Sequence, residues 1–208
     1  MMHRLAPLFL IAACAFGQYK TAPAGPPPSE LNAGIVSALQ KDGIKVLNGD
    51  KTVVEVWFRT SLPSGPKTTE DAVTLTTVPH GALLGAMRVT APYSDRRGNP
   101  VKPGLYTLRY SYYPPNGDHQ GVAPQRDFAL IVRAADDKDA NSTPDFKTLV
   151  DLSEKAAGRP HPGVFSIHRV DAADYKEGLA QAGENDWVLQ QKIGDTPIAI
   201  ILVGKAEG

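Results

Sequence analysis

Cysteine is nearly absent from this chain. Its 208 residues include only Cys14, and one thiol cannot close an intrachain disulfide or build a thiolate zinc site. An excess of charge is missing too: Lys+Arg and Asp+Glu both total 22. No global field therefore draws the chain to nucleic acid or anionic lipid. The longest apolar run, Leu5–Phe16, has 12 residues, short of the roughly 20 that a membrane-crossing helix takes. No transmembrane span is expected in the mature chain. No Gly-x-Ser-x-Gly elbow, phosphate loop or dinucleotide fingerprint occurs, so nucleotide and cofactor chemistry has no motif to stand on. The chain has five histidines, and no two of them stand at zinc-motif spacing. Neither a metal nor a cofactor is expected.

Turn-forming residues are abundant instead. The chain has 19 glycines and 18 prolines, against the roughly 25 together that average usage would place in this length. That excess favours many turns and many short strands. With 42% hydrophobic residues, the chain is apolar enough to fold around a core.

The first residues read as an address. A short basic start, "MMHR", precedes the apolar run, and Ala15 and Gly17 place small residues at −3 and −1 of a cut before Gln18. This is the pattern of a secretory signal over residues 1–17, so the chain is expected to be exported, periplasmic or secreted. "IAAC" at Ile11–Cys14 also fits a lipobox, which leaves lipid anchoring at Cys14 as the alternative. After a cut at Gly17 the mature chain has no cysteine and rests on its core alone. Residues 18–29 are rich in proline and alanine and read as an extended linker. Residues 30–208 read as one folded domain.

Within that domain Leu31, Ile35 and Leu39 share one helical stripe, with Ser29 as its expected cap. From Ile44 the period changes to two, and Asn48-Gly49 marks a hairpin. Val54, Val56 and Phe58 fall on one face there, Trp57 and Arg59 on the other. "AVTLTTV" (72–78), "ALLGAMRVT" (82–90), "LYTLRYSYY" (105–113), "FALIV" (128–132), "GVFSIHRV", "DWVLQQKI" and "PIAIILVG" read as further strands. The apolar run of "FALIV" suits a central strand covered on both faces. "STPDFKTLVDLSEKAAG" reads as a helix capped by Thr143, buried along Phe146, Leu149 and Val150, and stopped by Gly158. The expected fold class is all-β: a single antiparallel β-sandwich of about nine strands with two short flanking helices.

The loop "NGDHQGVAPQRDF" (116–128) gathers the most chemistry. Asp118 and His119 are its catalytic candidates, as parts of a metal-assisted hydrolase that would need a distant histidine: His80, His161 or His168. The alternative is a turn in which Asp118 accepts backbone N–H groups. Arg126 is a binding candidate, and an ion pair of Asp127 with Arg109 or Arg126 would anchor the loop base. Tyr110 and Tyr112, with Tyr106 on the same face, are candidates for an aromatic platform that stacks on sugar rings. The alternative is that these tyrosines fill the core.

"GNPVKPGLYTLRYSYYPPNGDHQGVAPQRDFALIV" resembles segments of a group of exported bacterial proteins in which a "PG-Y-LRY" strand leads to a "GDH…RDF" loop. That group has no assigned activity, so the resemblance implies export and transfers no role to Asp118 or His119. The "PGLYTLRY" rhythm is also similar to transthyretin-like and carboxypeptidase-regulatory sandwiches, which implies a fold and not a function. The reading that results is a non-enzymatic binding or interaction module of the cell envelope, with an envelope protein or a glycan as partner. A metal-assisted hydrolase and a carbohydrate-binding module are the alternatives.

Overall fold

The computed structural model describes residues 19–114 and 125–204. The segment expected to be a secretory signal, with Cys14, and the loop candidates Asp118 and His119 lie outside the described residues.

Alternation of side chains drives the first half of the fold. Gly43–Asn48 (β2) and Lys51–Phe58 (β3) pair as the expected hairpin, and Gly49 takes the positive φ, 60°, that a tight turn needs. Val54, Val56 and Phe58 enter the main core, while Trp57 faces a second cluster with Leu31, Ile35 and Leu39. Those three residues are the buried stripe of Ala33–Ala38 (α1) and its flanks. Asn32, and not Ser29, caps that helix, accepting from Gly34 N at 2.9 Å.

The segment read as a linker is a strand. Tyr19–Gly25 (β1) pairs antiparallel with β2. Its Pro23 is tolerated because β1 lies at the end of the strand order, where a missing N–H costs no second ladder bond. Trp57 Nε1 donates to Gly25 O at 2.8 Å and ties the strand's end to the domain. The folded unit therefore includes residues from Tyr19 onward.

Leu83–Val89 (β4) follows, then a small hairpin of Tyr93–Ser94 (β5) with Pro100–Val101 (β6). The long strands Gly104–Tyr112 (β7) and Asp127–Arg133 (β8) lie at the centre. Phe146–Ala157 (α2) comes next. Val164–Arg169 (β9), Gly178–Ala182 (β10), Asp186–Ile193 (β11) and Thr196–Val203 (β12) complete the chain. Ten strands form one antiparallel sheet in the order β1-β2-β3-β4-β7-β8-β9-β12-β11-β10. The class is thus mostly β with two helices, as expected, but the strands run in one continuous order. The sheet curls until β1 and β10 touch, close to a barrel. Tyr19 on β1 meets Trp187 on β11 edge-on, ring centres 5.4 Å apart.

The inside of the curl is the main core, which includes Tyr106, Leu108 and Tyr110 from β7. On the outside, α1 covers β3 and β4, and α2 packs on β8 through Leu149. This explains "FALIV": Phe128–Val132 are all buried, covered by the core on one face and by α2 on the other. Asp145, not Thr143, caps α2, accepting from Thr148 N at 2.7 Å, and Gly158 closes it in the left-handed region. The stripe begins at Leu149 because Phe146, expected to be buried, is 44% exposed. No helix among the described residues is long and apolar enough to cross a membrane.

Candidate functional site

Alternation along β7 sends Thr107, Arg109 and Ser111 to the side opposite Tyr106, Leu108 and Tyr110. Arg109 is 1% exposed and is held from all sides. Its Nε and Nη2 bond the two oxygens of Asp137 at 2.8 and 2.7 Å, a bidentate ion pair. The remaining N–H groups go to the carbonyls of Gly81, Asp139 and Ser142. This guanidinium staples the connection between β8 and α2 to the outer face of the sheet. It cannot also pair with Asp127, whose side chain lies on the inner face with Tyr110.

Asp127 is likewise 1% exposed. It accepts from Tyr110 Oη at 2.6 Å, Thr74 N at 2.8 Å, Thr74 Oγ1 at 3.0 Å and Leu75 N at 3.0 Å. Burial first, and then the adjacent carboxylate, push the Tyr110 phenol well above its ordinary value. Arg126 pairs with Glu70 at 2.8 Å and not with Asp127. It also donates to Asp71 O and, through Nε and Nη2, to Tyr113 O. Its guanidinium carbon lies 5.6 Å from the Tyr112 ring centre. The expected Asp127–arginine pair is therefore replaced by two separate clamps on the same segment, residues 70–75. Ala72, which accepts Arg126 N, has φ 56°. It is the single non-glycine with positive φ among the described residues.

The tyrosine candidates divide. Tyr110 has no exposed surface and Tyr106 is 4% exposed, so both are core residues and present no ring to a sugar. Tyr112 is half-buried, with its ring against Tyr110 and His80. A platform that includes Tyr110 is not assembled, because the strand face that carries it points into the closed side of the sheet.

The described histidines do not converge. His80 joins two segments: Nδ1 donates to Pro144 O at 3.3 Å, and Nε2 then accepts from Ser111 Oγ at 2.9 Å. Burial holds its pKa below the ordinary value, partly offset by the Pro144 carbonyl and Asp145. The contact brings a serine to an oriented imidazole, with Ser111 wholly buried. Gly81 beside it has φ 80°, and a Cβ there would stand 2.4 Å from Pro144 O, so the turn fits only a glycine. His168 meets Gln125 at 3.0 Å, and burial lowers its pKa against the opposing pull of Asp127. His161 sits between Pro162 O and Arg97. No group of three metal-ligating side chains occurs among the described residues.

The clamped segment has an open side that the sequence reading did not single out. Residues 72–78, expected as a strand, form turns whose backbone serves Asp127 at one end. At the other end it receives the loop before it, Gly65 N to Thr77 O and Thr68 N to Thr76 O, each at 2.8 Å. Between this segment, the 62–64 loop and the facing ends of β9 and β12 lies a cleft of about 260 Å³. Ser64, Thr74, Thr76, Thr77, Thr196 and Arg169 supply its polar lining. Thr74 Oγ1 is committed, donating to Asp127 and accepting from Arg169 N. The other four hydroxyls and the Arg169 guanidinium make no hydrogen bond or ion pair with the described residues. Ser64 stands three residues before Lys67, a spacing that serves a nucleophile and its base when a helical turn stacks them. Here both are exposed loop residues with no bond between them. The "TLTTV" run was the one available sign of this cleft, and its alternation with apolar residues imitates a strand.

Comparison with family models, with curated proteins and with solved structures found no match to this chain.

Proposed function

We propose that this chain is an exported, non-enzymatic binding module of the cell envelope, and that the threonine-lined cleft beside the Arg126–Asp127 clamp receives a glycan. The carrying observation is a contrast in commitment. Arg109, Arg126 and Asp127 spend their hydrogen bonds on the protein itself, whereas the hydroxyls of Ser64, Thr76, Thr77 and Thr196 face a cleft without partners among the described residues. Buried polar groups that are fully paired fix a scaffold, and uncommitted donors in a concavity are what a polar ligand needs. The core that spans both walls of the curled sheet supports reading it as a flattened, sandwich-like scaffold for that cleft. Export rests on the leader over residues 1–17.

Glycan-array binding of the mature chain, compared with Thr76→Val and Thr77→Val, tests the reading. Valine keeps the shape of threonine and removes the hydroxyl. The expected outcome is a glycan signal that falls at least tenfold in the variants with melting temperature unchanged. A glycan signal indifferent to both substitutions, binding only to an envelope protein, or turnover of the bound glycan would each overturn it.

A further inference from the structure

The charge of the cleft is more specific than its hydroxyls. Arg169 is the one charged side chain among its lining residues, and no carboxylate of the described residues lines it. The nearest buried acid, Asp127, lies behind Thr74 with four donors already on it. Arg169 is exposed at the end of β9, opposite Ile198 of β12. Its backbone is fixed, since its N–H donates to Thr74 Oγ1 at 2.9 Å and the next residue, Val170, bonds Pro197 O at 3.0 Å. A planar, permanently charged fork is thus anchored at its root and has no partner among the described residues at its tip. Guanidinium groups in that state pair bidentately with oxyanions. Three arginines that hold the domain together are, by contrast, answered by carboxylates: Arg109 by Asp137, Arg126 by Glu70, Arg159 by Asp95.

We infer that the cleft binds a small polyol carrying an oxyanion, a sugar acid or a sugar phosphate, with Arg169 as the anion anchor and Thr76, Thr77, Thr196 and Ser64 meeting the hydroxyls. Size agrees with this class. About 260 Å³ is the liquid volume of roughly nine waters at about 30 Å³ each, which suits one sugar ring and is below the drug-sized range. The inference rests on the binding reading above and adds the ligand's charge and the residue that selects it.

Calorimetric titration of the mature chain with glucuronate, glucose 6-phosphate, glucose and inorganic phosphate tests it. The comparison proteins are Arg169→Gln and Arg169→Lys. Because Arg169 is exposed, both variants are expected to melt with the parent. The expected result is binding of glucuronate or glucose 6-phosphate, at least tenfold tighter than glucose. Arg169→Gln should remove that preference, and Arg169→Lys should keep only part of it, since a point charge does not reproduce the fork. Which of the two anions binds tighter separates the carboxylate from the phosphate source. Glucose bound as tightly as either anion would overturn the inference and leave the module reading standing. Anion binding unchanged in Arg169→Gln, or inorganic phosphate bound as tightly as the sugar anions, would overturn it as well. If none of the four binds and the glycan array is also blank, both readings fall together.

Discussion

Asp127 shows how a residue expected to anchor a loop through an arginine can keep the architectural role and change its partners. In the sequence it neighbours an arginine and closes a glycine-containing loop that also carries His119. In the fold its carboxylate is taken up by Tyr110, Thr74 and Leu75. The carboxylate holds two backbone N–H groups, a phenol and a hydroxyl that would otherwise be left unpaired near the core. Asp127→Asn turns one oxygen into a donor that faces those donors. Denaturant unfolding should show a loss of at least about 2 kcal/mol, since hydrogen bonds to charged groups contribute roughly 1.5–3 kcal/mol each. Tyr110→Phe removes a single partner and keeps the core's shape, so its loss should be the smaller. A Tyr110→Phe variant less stable than Asp127→Asn would contradict the assignment of Asp127 as the hub. Arg109 is a hub of the same kind on the other face, answered by Asp137.

At the scale of elements, the segment 70–78 is the part of the fold that other parts shape. Arg126 and Glu70 hold its start, Asp127 its middle and the 65–68 loop its end. Val73 and Leu75 alternate inward as in a strand, but the next buried residue, Val78, comes three positions on, with Thr77 exposed. No described strand offers it a ladder, and an aspartate takes its N–H groups instead. The clamps force Ala72 into the left-handed region, where a Cβ costs roughly 1–2 kcal/mol. Ala72→Gly relieves that cost while giving the unfolded chain more freedom. The net expectation is a gain of up to about 1 kcal/mol, read as a raised denaturation midpoint. A fall in the midpoint would show that Ala72 is not strained. The first strand makes the complementary point. "KTAPAG" reads as a spacer because proline and small residues bury little. Yet without it β2 would have an open edge and Trp57 an unanswered indole N–H, and together they recruit it.

At the scale of the whole molecule, two half-buried imidazoles link stability to pH. His80 and His168 both have pKa values below the ordinary one, chiefly through burial. In the unfolded chain they titrate near about 6.5. Their contribution is complete above that value and is lost as pH falls through the folded values, where the unfolded chain binds more protons. The Asp145 carboxylate that caps α2 is lowered by its bond from Thr148, so its contribution is lost only at more acid pH, below the ordinary carboxylate range. A melting temperature followed downward from neutral pH should therefore begin to drop as pH falls below about 6.5, before the carboxylates protonate, and His168→Gln should flatten that first step. A flat profile across that window would refute the linkage.

Composition and period were enough to read an antiparallel, mostly β chain, the Asn48-Gly49 hairpin, the doubly covered "FALIV" strand and the opposite faces of Val54 and Trp57. Each follows from local backbone preference and from sorting side chains between water and a dry interior. Which carboxylate answers which arginine, the recruitment of β1, the curling of one sheet until its edges meet, and the cleft with Arg169 at its rim were decided only by tertiary structure. Those features join residues far apart in the chain, and partner choice over such distances depends on packing that no local pattern of residues records.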